Sequence, residues 1–222
     1  MTKPPPRPLH VHLLNVLVRL APVTRKHHHN SILMRKTLDG LDVVEAPAGH
    51  ELRLATAADR DAIAAHAEAL PGEVYGRRLR RGDRCYCLCA GREVLSYNWV
   101  AATQCCVHCG FEEGMDFLPL RVGQAFTYDF YTYRSRRREG LGRMMKHLLL
   151  RELAREGVRE VLSLVQPSNT ASLAIHLGAG YEPVCLVYGY RLRGWTRTYF
   201  ERPGRRPGLD AWMRDLDGAP RS

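Results

Sequence analysis

Arginines at 137, 138 and 143 frame two glycines, Gly140 and Gly142, just before a run whose apolar residues Leu141, Met144, Met145, Leu148 and Leu149 repeat at helical spacing. Glycine removes the Cβ that would keep a ligand off the backbone. The unpaired N–H groups of a helix's first turn, together with its dipole, favour an anion there. Arginine adds charge-assisted hydrogen bonds to phosphate oxygens. Residues 137 to 143 therefore read as a pyrophosphate cradle, with Glu139 pointing to solvent. The pattern is not G-x-x-x-x-G-K-[ST] and lacks three dinucleotide-binding glycines, so it matches neither a triphosphatase P-loop nor a dinucleotide turn.

Three other groups of residues have chemical potential. Asp129, in "YDFYT", is a carboxylate among aromatic residues, where desolvation can raise a pKa into a range useful for a base. His176 sits on a mostly apolar helical segment, where it is either a proton carrier or a packed side chain satisfied by a backbone carbonyl. Cys85, Cys87 and Cys89 alternate along one run, and Cys105, Cys106, His108 and Cys109 crowd a short stretch with one C-x-x-C spacing. Thiolates and imidazoles in such clusters hold zinc, but alternating strand cysteines are more often small core residues and no second C-x-x-C pair exists.

The elements that must place these residues follow from pattern. "ELRLA" at 51–55 alternates like a strand and feeds a helix beginning near Thr56. A short basic segment (73–81) leads to "RCYCLC" and "EVLSYNWVAA", two strands of a hairpin. Residues 103–123 look loop-like, and 124–133 form an aromatic-rich strand. The helix after the glycine turn stops at Gly157, a suitable C-cap. A strand at 159–165, a helix opening at "PSNTAS" and two final strands, "EPVCLVYGYRLR" and "WTRTYF", complete the order. This alternation predicts α/β packing, with helices covering both faces of a mixed sheet. Residues 1–50 read as a basic N-terminal extension with one amphipathic helix (Leu9, Leu13, Leu17, Leu20), 51–201 as a single catalytic domain, and 202–222 as a tail.

Arg137-x-x-Gly140-x-Gly142 after a strand resembles the R/Q-x-x-G-x-G/A acyl-CoA signature of the GNAT superfamily of N-acyltransferases. "NTASLAIHLGAGY" (169–181) is similar to that superfamily's Asn-bearing helix with its closing Gly-aromatic pair, and "LRLATAADRDAI" (52–63) to its opening strand and helix. The resemblance implies a mostly antiparallel sheet in which strand 124–133 splays from its parallel neighbour at 159–165. Acetyl-CoA or another acyl-CoA, as cosubstrate, would enter that wedge. Its pantetheine arm would pair with Phe130, Tyr131 and Thr132 and pass Asn169. Its pyrophosphate would rest on Arg137, Arg138, Glu139, Gly140, Leu141, Gly142 and Arg143. By the same resemblance His176 stands where other members carry a thiolate-protonating residue. The position of a glutamate base used by some members falls near Leu164, leaving Asp129 or a water relay as base.

The implied reaction is acyl transfer, acetyl by expectation, to the primary amine of a small molecule. The formal net charge of +10 and pI near 9.5 in 222 residues suit an anionic acceptor, although an arginine-rich cofactor turn accounts for part of that charge. Nucleic acid is the weaker partner, and a homodimer is compatible with the pattern. No membrane span and no secretory leader are read, so the expected location is cytoplasmic, with reduced thiols and no metal. Two other classes remain open: a non-catalytic acyl-CoA sensor on the same fold, and a zinc-dependent nucleic-acid binder.

Overall fold

The computed structural model describes residues 28–41, 46–66, 72–106, 117–192, 195–201 and 210. In chain order the strands are β1 (His28–Thr37), β2 (Glu51–Leu54), β3 (Arg84–Ala90), β4 (Glu93–Ala101), β5 (Gln104–Cys106), β6 (Phe117–Pro119), β7 (Gln124–Thr132), β8 (Glu160–Val165), β9 (Glu182–Leu192) and β10 (Trp195–Phe200). Helices α1 (Ala57–His66), α2 (Gly72–Arg80), α3 (Leu141–Arg155) and α4 (Thr170–Gly178) lie between them. Eight strands form one sheet in the order β10-β9-β1-β8-β7-β4-β3-β2, and β5 pairs with β6 apart from it. The pairings in the large sheet are antiparallel except β7 with β8.

Period-2 alternation splits the core between the two faces of the sheet. Ile32, Met34, Tyr86, Leu88, Ala125 and Val161 meet α3 and α4 on one face, where Leu141, Met145, Leu149, Leu153 and Leu173 are buried. Cys85, Cys87, Cys89, Tyr97, Trp99, Phe126 and Tyr128 meet Ile63 of α1 and Tyr75 of α2 on the other. The alternating cysteines are thus small core residues. Hydrogen bonding to Cys87 and burial push the Cys85 thiol up, and burial lifts Cys89 to about 11.

α3 ends as its glycine predicts. Gly157 has φ +83°, its N–H bonds to Ala154 O, and the Val158 N–H reaches back to Leu153 O, the paired bonds of a Schellman cap. α4 repeats the device with Gly180 at φ +77°, Gly180 N–H to Leu177 O and Tyr181 N–H to His176 O.

The domain start expected at Glu51 leaves out a central strand. β1 is antiparallel to β8 from Ile32↔Val165 to Thr37↔Glu160 and to β9 from His28↔Tyr190 to Arg35↔Glu182. Only Ile32, Leu33 and Met34 give this segment an apolar signal, flanked by histidines and basic residues, which is too short a pattern to register as a strand paired on both edges. The basic segment at 73–81 is largely helix α2, and the loop-like stretch 103–123 contributes β5 and β6. The amphipathic helix expected over 9–22 and most of the tail lie outside the described residues.

Because Ile32 is fully buried between two strands, Ile32→Ala is expected to cost about 2–4 kcal/mol and lower the Tm seen by circular dichroism. A chain beginning at residue 49 should lose cooperative unfolding, because it exposes the edges of both β8 and β9. Cooperative unfolding at an unchanged Tm would show that β1 is dispensable.

Candidate active site

β7 and β8 pair from Gln124↔Glu160 only as far as Thr127↔Ser163, although β7 continues to Thr132 and β8 to Val165. Among the described residues, the edge of β7 that faces β8 has no strand partner beyond Thr127. On its other edge β7 stays paired with β4, but with a shift: Trp99 faces Tyr128 and Tyr97 faces Tyr131, so Asn98 alone opposes both Asp129 and Phe130. Asp129 takes the left-handed φ of +47° that such a bulge needs. The extra residue resets the alternation. Tyr131 and Tyr133 join the α1/α2 face, while Phe130 joins the α3 face.

The chain then turns through a short 3₁₀ segment (Arg134–Arg136) into α3. Arg138 and Gly140 both have left-handed φ, +72° and +77°, and Gly140 is the N-cap without any capping side chain. The first helical N–H groups to find intrahelical acceptors are those of Arg143 and Met144, both on Gly140 O. The amides of Leu141 and Gly142 at the tip therefore have no acceptor within the helix. Arg138, Glu139, Gly140 and Arg143 are exposed around this tip, a concave amide surface suited to an anion.

Two expected site residues sit differently from the sequence picture. Gly142 is buried: a Cβ there would meet Ile175 Cδ1 at 2.9 Å, Phe130 Cζ at 3.4 Å and Thr132 Oγ1 at 3.5 Å. Its bareness serves the close approach of α3 to α4 and β7, so a bulky substitution would disturb packing as well as amide access. Arg137 folds back onto the strand, its Nε donating to Thr132 O at 3.2 Å and its guanidinium lying 5.4 Å from the Tyr131 ring centre. Tyr131 O accepts from Ser96 Oγ at 2.7 Å. Thr132 O, in the stretch expected to meet the pantetheine arm, thus already carries one hydrogen bond.

Asn169 is exposed at the N-cap of α4, where its Oδ1 accepts the Ser172 N–H at 3.1 Å. That bond explains an asparagine before this helix on capping grounds. His176 is 2% exposed. Its Nδ1 lies 2.7 Å from Ser172 O and so donates to it, and Nε2 is 3.2 Å from Ser163 Oγ. Its ring packs edge-on against Tyr181 at 4.9 Å, the contact that a Schellman cap brings together. Burial, and then the charge of Lys146, lower its pKa to about 3. The structure thus gives His176 a packed environment, with one ring nitrogen satisfied by a backbone carbonyl.

Asp129 is on the opposite face. Its Oδ2 accepts from Arg78 Nη1 at 2.6 Å, and its side chain remains 33% exposed against 7% for Arg78. The Arg78 guanidinium lies 5.0 Å from the Trp99 ring centre and 4.9 Å from that of Tyr128. Beneath it, Arg81 and the Tyr128 hydroxyl both bond to the buried Asp83. A carboxylate on the bulge is thus held by a cation that is itself clamped between aromatic rings.

Arg78 belongs to a basic run that the structure folds as helix, and nothing in "RRLRR" singles it out. Lys146 does carry a sequence signal: a lysine four residues after Gly142 within the apolar stripe of α3 is an anomaly. Among the described residues no group of His, Cys, Asp or Glu side chains is arranged to hold a metal, and His108 and Cys109 lie outside those residues.

Residues 49–181 match the family model for the GNAT acetyltransferase family. This chain belongs to that family. No curated protein matches it significantly by sequence. Among solved structures it resembles a GCN5-related N-acetyltransferase from Sphaerobacter thermophilus (TM-score 0.55, 16% identity, 88% of this chain and 58% of that one). A conserved Staphylococcus epidermidis protein is similar (TM-score 0.56, 12% identity, 83% and 67%), as is a Drosophila protein (TM-score 0.54, 18% identity, 80% and 54%). At such identities the likeness establishes the fold, and the GNAT chain spans only 54% of the Drosophila protein's length. No helix among its described residues is long and apolar enough to cross a membrane.

The buried imidazole yields a direct test. With its folded pKa below the unfolded value of 6.5, His176 destabilises the fold progressively as pH falls from about 6.5 toward 3. Its ring NMR shifts are expected to stay constant from about pH 8 to pH 5. A midpoint near 6.5 would show an accessible imidazole able to carry a proton at neutral pH.

Proposed function

We propose that this protein is an acyl-CoA-dependent N-acyltransferase, using acetyl-CoA and transferring the acyl group directly to a primary amine of a small molecule in a ternary complex. The observation that carries the reading is the fork between β7 and β8 running straight into a glycine-capped helix tip. An open strand edge suits an extended amide-bearing arm, and the tip suits the pyrophosphate that follows it. Arg138 and Arg143, exposed on either side of that tip, would bind phosphate oxygens, and Glu139 would stay in solvent.

The donor supplies an activated thioester when bound. The chain's own part is to hold the amine, strip its proton and stabilise the developing oxyanion. A backbone N–H on the splayed strand, near Tyr131 or Thr132, would suit the oxyanion. Asp129, half-exposed on the bulge and steadied by Arg78, suits the ammonium end of the acceptor and can take its proton directly or through water. With His176 buried and neutral, the leaving thiolate draws its proton from solvent or from the acceptor's own ammonium. The arginine excess fits an acceptor that also carries a negative group, and a cytoplasmic enzyme fits the cysteine usage.

Calorimetry is expected to show saturable binding of acetyl-CoA and desulfo-CoA. The double variant Arg138→Ala, Arg143→Ala should bind about tenfold or more weakly, since a hydrogen bond to a charged group contributes about 1.5–3 kcal/mol. No binding by the parent protein would overturn the reading. In turnover assays with amine acceptors, Asp129→Asn should lower kcat about 100-fold or more while the KM for acetyl-CoA holds. Tight donor binding without turnover of any amine would favour an acyl-CoA sensor instead.

A further inference from the structure

Lys146 projects from α3 into the interior with 0% exposure. Its Nζ donates to Asn98 Oδ1 at 2.9 Å. Asn98 in turn donates through Nδ2 to Tyr128 O at 2.7 Å and to Trp99 O at 3.2 Å. Asn98 is also the residue of β4 that opposes two residues of β7, so its amide bridges the place where the ladder loses register. The same ammonium lies 4.9 Å from the Phe130 ring centre and 5.8 Å from that of Tyr181. Lys146 therefore grips the bulge on both sides, Tyr128 through Asn98 and Phe130 directly.

Beside this grip sits a second one. Ser163 Oγ donates to Thr127 O at 2.9 Å across the last parallel pair, with His176 Nε2 at 3.2 Å behind it. The strands separate one residue later. Lys146 is also four residues, about one turn, beyond Gly142, so a single rigid helix spans from the anion tip to the bulge.

We propose that Lys146, acting through Asn98 and Phe130, is a positioning residue for the donor wedge: it sets the register of the bulge relative to the anion tip, so that a donor anchored at the tip meets the free edge of β7. This rests on the acyltransferase reading. An apolar residue of the same length would fill the site at less cost to stability, because a buried ammonium with one hydrogen-bond acceptor is expensive.

Burial holds the Lys146 pKa down at about 7. The titratable groups facing it are His176 from α4, neutral until about pH 3, and the Tyr181 phenol, pushed upward by burial. From β4 and β7 it meets Asn98 and Phe130, which do not titrate. When charged, the lysine holds both the amide oxygen and the ring face strongly. As pH rises through about 7 both contacts weaken, and donor affinity falls with them. Stability runs the other way. The unfolded chain binds the extra proton between about pH 7 and 10.5, so this site's contribution to stability rises with pH over that window.

The test compares the full-length protein with K146M and K146Q, by acetyl-CoA calorimetry from about pH 6 to pH 9 and by thermal unfolding. K146M is expected to unfold at pH 7 no lower than the parent, to bind acetyl-CoA about tenfold more weakly at pH 6, and to lose the pH dependence of binding. K146Q, which retains a donor for Asn98 without charge, should recover part of the affinity with a flat pH profile. Parent-like affinity and pH dependence in either folded variant would overturn the proposal, and if K146M fails to fold, K146Q decides. A parent protein that binds no acetyl-CoA would instead overturn the acyltransferase reading, and this inference with it.

Discussion

The architecture depends on one broken ladder. Two parallel strands that pair for four residues, from Gln124↔Glu160 to Thr127↔Ser163, then part. Parting leaves backbone polar groups without strand partners, which a buried sheet does not normally tolerate. On the proposed reading, an extended ligand would supply the missing pairs along that edge. The remaining strands hold the fork open: β4 grips one arm of it, and β1 braces β8 by pairing along the full length from Glu160 to Val165.

The bulge at Asp129 decides which side chains flank the fork. One extra residue reverses which side chains point where, so the carboxylate joins Arg78, Trp99 and Tyr128 on the α1/α2 face while Phe130 turns under α3. Without it, Phe130 and Asp129 would exchange faces. The left-handed φ at a non-glycine residue is sustained by the ion pair to Arg78 on one side and by the Asn98 amide on the other. The α3/α4 face thereby carries the helix tip and the polar links around Lys146 and Ser163, and the α1/α2 face presents a carboxylate among aromatic rings.

Motif residues in this fold do double duty as caps and close contacts. The Gly180–Tyr181 pair completes a Schellman cap that packs Tyr181 on His176, Asn169 caps α4, and Gly142 lets two helices and a strand converge. A sequence signature therefore includes residues needed for the backbone to take its path. His176 lies under the same cap: the turn that positions Tyr181 also covers the imidazole.

The sequence by itself determined the local facts. Glycines with arginines before an amphipathic run mark the helix tip, Gly157 and Gly180 mark helix ends, and the aromatic strand with its neighbours implies a mixed sheet, because each of these depends on residues close along the chain. Only the tertiary structure decided the rest. β1 joins the sheet through pairing with strands more than 120 positions later, Arg78 meets Asp129 across 51 positions, and Lys146 meets Asn98 across 48. Whether a histidine is buried, a lysine desolvated or a carboxylate left partly in water depends on what the completed core packs around it, and no spacing rule within one segment records that.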